Sequence, residues 1–263
     1  MTGMPIWYEL MTPDANGVAD FYRAVGGWEI PAAGNAMPNG SEYREIKRPD
    51  GGNLGGVLTI TPAMAEGGAR AGWIPYFHVK GVEDAVARGE AMGATTHMAP
   101  TKMHVGTLAM IADPQGAPFY LMDPIPPASD PNARSDVFDE AKAGHCRWNE
   151  LSTTDAPAAL DFYRELLGWE SKDKMPMGER GDYLFVDAEG RRIGAISPWL
   201  NEGQQPAWLL YLGVDDIGRA HQAAKTNGGT NVGDPHEVPG GDNVFSVNDP
   251  IGARIAFVGP KGA

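Results

Sequence analysis

The chain has 263 residues, enough for two domains of ordinary size, and its 42% hydrophobic content with 35 glycines and 22 prolines describes a turn-rich globular protein. A net charge of −13 without a basic cluster argues against nucleic acid and against an acidic membrane surface as partners. Cys146 is the single cysteine, which excludes an intrachain disulfide or thiolate cluster and reads as a structural thiol; with no long apolar run and no basic start in MTGMPIWYEL, a cytoplasmic location is expected.

From the N-terminus, a strand is expected over 6–11, followed by a helix that Asp14 caps and whose apolar face is Val18, Phe21, Tyr22 and Val25. Gly26 and Gly27 stop that helix. Short strands are expected at 28–30, 43–47 and 54–60, with Gly/Pro-rich connections at 31–40 and 61–72 that reach over a site mouth. The pattern restarts with a strand at 73–79, a helix at 82–92 and strands at 95–99, 106–112 and 117–122. The glycine-rich stretch 51–56 has neither the Lys-Ser/Thr of a phosphate-binding loop nor a strand-to-helix setting, and reads as a hairpin turn.

The whole series then recurs. WYELMTPDANGVADFYRAVGGWE pairs with WNELSTTDAPAALDFYRELLGWE, so that Trp7, Glu9, Asp14, Tyr22, Gly27 and Trp28 meet the same residues at Trp148, Glu150, Asp155, Tyr163, Gly168 and Trp169 at one constant spacing. ADPQGAPFYLMDP likewise pairs with NDPIGARIAFVGP, each opening on a tight turn. The Pro/Asp/Ser-rich stretch 123–144 favours an exposed linker, giving domains at 1–126 and 144–263 with the linker at 127–143.

A strand, a helix ending in FYR and Gly-Trp, a second such unit and a closing D-P-x-G turn resemble the vicinal oxygen chelate superfamily, which includes glyoxalases, extradiol dioxygenases and bleomycin and fosfomycin resistance proteins. The doubled W-x-E-L in two complete domains is similar to the glyoxalase-like group that contains a mycobacterial culture-filtrate antigen. The resemblance implies an α+β fold of two tandem domains, each two βαβββ modules forming a cup-shaped half-open barrel. It also implies metal-ligand positions on the first, fifth and eighth strands of each cup, which here are Trp7, Ile74 and Tyr120, then Trp148, Leu209 and Ala256. Five of these side chains have no suitable donor and Tyr is an uncommon ligand, so no metal or other cofactor is expected.

Strand alternation places Glu9 on the same face as Trp7, and Glu150 on the same face as Trp148. It adds Tyr76, His78 and Tyr120 to the first cup, and Tyr211 and Arg254 to the second. Aromatic area with few polar groups suits a small aromatic or carbonyl ligand. Glu9 or His78 is the candidate general base, with Tyr76 or Tyr120 supporting an oxyanion, in a metal-independent lyase or isomerase. In the second cup Glu150 and Arg254 are the expected ion pair.

Three alternatives stay open. The repeated Trp and Glu only brace the barrels; the protein sequesters a toxic or antibiotic molecule without turnover; or Glu9, His78 and His104 form an unusual metal site for glyoxalase or dioxygenase chemistry. His104 is placed at the rim of the first cup, and His97, His145, His221 and His236 at the surface or at strand edges. The expected partner is a small molecule, and the expected state a monomer or homodimer.

Overall fold

The computed structural model describes residues 3–200 and 203–262. In chain order the first half runs β1 (Pro5–Thr12), α1 (Ala15–Gly26), β2 (Asn35–Ala36), β3 (Glu42–Lys47), β4 (Asn53–Thr59), α2 (Pro62–Glu66), β5 (Gly72–His78), α3 (Val82–Ala91), β6 (Thr95–Met103), β7 (Gly106–Ala112) and β8 (Pro118–Pro124). The second runs β9 (Cys146–Ser152), α4 (Ala156–Leu167), β10 (Lys174–Pro176), β11 (Asp182–Ala188), β12 (Arg191–Ser197), β13 (Ala207–Gly213), α5 (Ile217–Thr226), β14 (His236–Glu237), β15 (Asn243–Asn248) and β16 (Arg254–Gly259).

These strands make two eight-stranded curled sheets of matching order, β2-β3-β4-β1-β5-β8-β7-β6 and β10-β11-β12-β9-β13-β16-β15-β14. Each sheet therefore contains two modules in which the first strand pairs in parallel with the last, as β1 does with β4 and β5 with β8. This is the α+β half-barrel that the resemblance implies.

The duplicated Asp…FYR…Gly-Trp motif explains its own local structure. Asp14 accepts the amide hydrogen of Gly17 at 2.9 Å and Asp155 that of Ala158 at 3.0 Å, an N-cap contributing about 1 kcal/mol each. Gly27 and Gly168 take positive φ of 75° and 72° and donate to the carbonyls of Arg23 and Arg164, closing the helices. Trp28 and Trp169 follow, fully buried.

Compact packing divides the chain across the repeat rather than along it. One unit is Met1–Ile6, Ile74–Phe138 and Trp148–Trp208; the other is Trp7–Trp73, Asp139–Arg147 and Leu209–Ala263. The first has a core of Phe77, Phe119, Phe162, Tyr163, Trp169 and Trp208, in which Trp169 donates its indole hydrogen to the Gly3 carbonyl at 2.8 Å. The second joins Phe21, Tyr22, Trp28, Trp73, Phe245 and Phe257, and Trp28 donates to the Gly144 carbonyl at 2.8 Å.

Four local expectations change. The stretch 28–30 makes one bridge, Glu29 with Lys47, because Trp28 turns into the core and Pro31 has no amide to continue a ladder. Within 61–72 lies α2, capped by Thr61 with Pro62 in its first turn, too short to show a helical period. Stretch 123–144 is exposed over 125–136, but Val137 and Phe138 are buried at 2% and 5%, with Arg191 lying over the Phe138 ring. β6 extends to Met103 past Pro100 by register shifts, which an edge strand tolerates. No helix among the described residues is long and apolar enough to cross a membrane.

Candidate functional site

Along β1, Tyr8 and Leu10 are fully buried while Trp7 is partly exposed, so Trp7 and Glu9 share the other face. Trp7 donates its indole hydrogen to the hydroxyl of Tyr43 on β3 at 2.6 Å. Tyr43 crosses β4 over Gly56, the register partner of Glu9, where an added methyl group would overlap the Tyr43 ring. Burial pushes the Tyr43 hydroxyl far above the usual tyrosine range, and the Glu9 carboxylate pushes it the same way. Glu9 itself is 2% exposed.

The second half repeats the arrangement. Trp148 on β9 donates to the Tyr183 hydroxyl on β11 at 3.0 Å, and Tyr183 donates to Oε2 of Glu150 at 2.7 Å. An indole N–H only donates, so the Tyr oxygen is used as acceptor toward Trp148 and its hydrogen is directed at the carboxylate. Glu150 is more accessible than Glu9, being partly exposed. Phe185, two residues beyond Tyr183, meets Trp148 and Tyr183 edge-on at 6.1 and 5.4 Å between ring centres. Tyr43 and Tyr183 escape a motif search for acids, bases and metal ligands. A tyrosine at the same place in both SEYREI and GDYLFV is the signal that marks them.

The inner strands differ between the halves. On β5 and β8, Tyr76 is the register partner of Tyr120, and their rings stack at 4.1 Å with an 18° angle between planes. The same position on β13 and β16 holds Tyr211 and Ala256. His78 pairs in register with Met122 and is half-buried; burial lowers its pKa, which keeps the imidazole neutral at neutral pH. Its backbone exchanges hydrogen bonds with Gly3 and Met4. Glu9 and His78 fall in different compact units.

His104 is exposed in the turn between β6 and β7. Arg254, exposed, opens β16 opposite Asn248, and the described hydrogen bond of Glu150 comes from Tyr183. His145, expected at the surface or at an edge, is instead 2% exposed with Nε2 3.2 Å from Oδ2 of Asp50. The Arg48 guanidinium beside Asp50 holds that carboxyl down at about 2. His97 and His236 are exposed, as expected; His221 is partly buried against the Phe245 ring. Cys146 is a buried thiol outside any disulfide.

The two D-P-x-G turns are present, and each buries its aspartate. Asp113 accepts the amides of Gln115 and Ala117 and the hydroxyl of Tyr163; Asp249 accepts those of Ile251, Gly252 and Ala253 and the hydroxyl of Tyr22. Burial raises both carboxyl pKa values despite these bonds. Their inward orientation makes them structural carboxylates.

At the positions the resemblance reserves for a metal, Trp7 and Trp148 are bonded to tyrosines, Ile74, Leu209 and Ala256 are buried apolar side chains, and Tyr120 is stacked. This donor set does not fit a divalent ion. Among the described residues, no group of three or more His, Cys, Asp or Glu side chains is arranged to hold a metal.

Residues 142–257 match the family described as the Glyoxalase/Bleomycin resistance protein/Dioxygenase superfamily, and residues 7–122 match the family described as Glyoxalase-like domain. A Mycobacterium tuberculosis protein named "Putative glyoxylase CFP32" is 24% identical over 259 residues, covering 98% of this chain and 95% of its own. The "Anthracycline biosynthesis protein DnrV" of Streptomyces peucetius is 26% identical over 271 residues, covering 97% and 93%. Among solved structures, the Mn(II)-bound glyoxalase from Novosphingobium aromaticivorans superposes with a TM-score of 0.65 at 14% identity, over 99% of this chain and 83% of that one, a likeness of fold.

Proposed function

The chain belongs to the glyoxalase/bleomycin resistance protein/dioxygenase superfamily, and from that premise we propose that it binds a small aromatic or carbonyl compound through its Trp148–Tyr183–Glu150 relay and the matching first-half set of Trp7, Tyr43 and Glu9, instead of through a metal ion. The observation that carries this reading is the second relay, in which Trp148, Tyr183 and Glu150 form one hydrogen-bonded chain beginning at a position where metal-binding relatives place a ligand. The aromatic rings supply binding area, and the carboxylate supplies orientation. One relative's name refers to anthracycline biosynthesis, which puts polycyclic aromatics first among the compounds to try.

In this reading the relay also supplies chemistry. The Tyr183 hydrogen bond holds the Glu150 carboxylate in one orientation, and that carboxylate takes a proton from an acidic C–H or hydroxyl of the bound compound. His78, neutral at physiological pH, is a second base on the first sheet, with Tyr76 and Tyr120 beside it on the same face. The reaction class is a lyase or isomerase step. Sequestration without turnover is the same binding with the proton transfer removed.

The test uses chelator-treated protein screened by thermal shift against aldehydes, quinones and polycyclic aromatics, followed by a turnover assay on the compounds that bind. Enzymatic action predicts that Glu9→Gln or Glu150→Gln abolishes turnover while binding persists. Sequestration predicts no turnover and a loss of binding in Trp7→Ala or Trp148→Ala. Stoichiometric Fe, Zn, Ni or Mn in protein purified without chelator, whose removal abolishes binding, would overturn the metal-independent reading.

A further inference from the structure

The Trp148–Tyr183–Glu150 relay and the matching first-half set of Trp7, Tyr43 and Glu9 are not equivalent, and their differences bear on the kind of molecule each accepts. Glu9 is 2% exposed, whereas Glu150 is partly open to solvent. Two residues beyond the relay tyrosine, β3 carries Glu45, exposed and paired with Lys47, while β11 carries Phe185. Among the described residues the second relay thus has a third ring, to which both partners stand edge-on: Trp148 lies at 78° to Phe185 and Tyr183 at 78° to Phe185.

Rings arranged edge to face present the electron-rich face of one beside the edge of another, and such faces attract cations. Phe185 already does so, with the Arg192 guanidinium carbon 4.8 Å from its ring centre. Arg192 is in turn held by Asp187 and Asp173, at 2.6 Å each, so its charge is compensated locally. Glu150 adds a carboxylate among these rings. A neutral aromatic gains only the stacking area, whereas a positively charged one gains the ring faces, the carboxylate and the attraction of a chain of net charge −13.

We infer that the Trp148–Tyr183–Phe185 cluster with Glu150 is a recognition site for an aromatic compound bearing a protonated amine, and that the first relay does not share this preference. The inference rests on the small-molecule reading above and narrows its ligand class. Tyr183 sets the orientation of Glu150 toward the amine, Trp148 takes the aromatic portion, and Phe185 closes one side.

Calorimetric titration of the full-length protein with 1-naphthylmethylammonium, 1-naphthalenemethanol and 1-naphthoate tests it, since the three probes share a ring and differ in charge. The ammonium is expected to bind about tenfold more tightly than the alcohol and the carboxylate more weakly than either. Glu150→Gln should bring the ammonium down to the level of the alcohol, Glu9→Gln should leave the preference intact, and Trp148→Ala should weaken ammonium and alcohol alike. Equal binding of ammonium and alcohol, or a preference that survives Glu150→Gln, overturns the charge assignment while the aromatic-binding reading stands. Loss of the preference in Glu9→Gln alone overturns its placement on the second sheet. If none of the three probes binds, the inference and the reading beneath it fail together.

Discussion

Tyr22 in the first half donates its hydroxyl hydrogen to Oδ2 of Asp249 in the second, 2.9 Å away and 227 residues along the chain. The same hydroxyl accepts the indole hydrogen of Trp73 at 2.8 Å, so it serves a buried donor and a buried acceptor together. Tyr163 and Asp113 repeat the bond with the halves exchanged. Each compact unit is thus sealed by a helix from one half and a D-P-x-G turn from the other.

Removing that hydroxyl leaves Asp249 with one donor fewer and Trp73 without this acceptor. Tyr22→Phe should therefore cost about 1.5–3 kcal/mol, the range for hydrogen bonds to a buried charged group, and Tyr163→Phe a similar amount. Urea unfolding midpoints at neutral pH check both.

The same aspartates set a pH dependence. A carboxyl whose pKa is raised by folding contributes stability that is present below its unfolded value near 3.8 and is lost as pH rises through the folded value. Asp249→Asn lacks this loss, so the stability of the variant relative to the wild type should improve as pH rises through that window and then level off. Asp50 has the opposite sign: held down at about 2, it stabilises above pH 3.8, and that contribution disappears as pH falls toward 2. The deficit of Asp50→Asn should accordingly vanish at the acid end of a pH series of unfolding curves.

The two relays should differ in structural weight. Tyr43→Phe takes a hydrogen-bonding hydroxyl from beside a carboxylate that is 2% exposed, and should cost about 1–3 kcal/mol; Tyr183→Phe, beside a partly exposed one, should cost less than about 1 kcal/mol. Equal losses in thermal or urea unfolding would contradict the difference in accessibility on which the proposed second-half site depends.

Two glycines sit where the neighbouring strand leaves no room for a side chain. At Gly55 and Gly194 an added methyl group would overlap the carbonyl oxygens of Tyr8 and Asn149 on the neighbouring parallel strand. Backbone cannot retreat as a flexible side chain can, so Gly55→Ala or Gly194→Ala should cost at least about 3 kcal/mol or prevent folding, which soluble yield and circular dichroism would register.

Much of this was legible in the amino-acid order, and for identifiable reasons. The repeat, the Asp caps, the glycine stops and the shared face of Trp7 with Glu9 all follow from local spacing. The identity of a helix's distant partner does not: Tyr22 meets Asp249 and not Asp113, and because both turns carry the same motif, spacing alone cannot choose between them. The relay tyrosines were hidden similarly, since Tyr43 reaches Trp7 across an intervening strand. His145 reads as a surface histidine from sequence because its partner, Asp50, lies 95 residues away.

Under the proposed function the Trp148–Tyr183–Glu150 relay, not a metal ion, holds the ligand. The most direct test is a calorimetric titration of chelator-stripped protein with a polycyclic aromatic amine, performed on the wild type and on Trp148→Ala, each with and without added Mn²⁺. Binding to the stripped wild type is expected, unchanged by Mn²⁺ and weakened at least about tenfold in Trp148→Ala. Binding that appears only after Mn²⁺ is added, and that survives in Trp148→Ala, would contradict it.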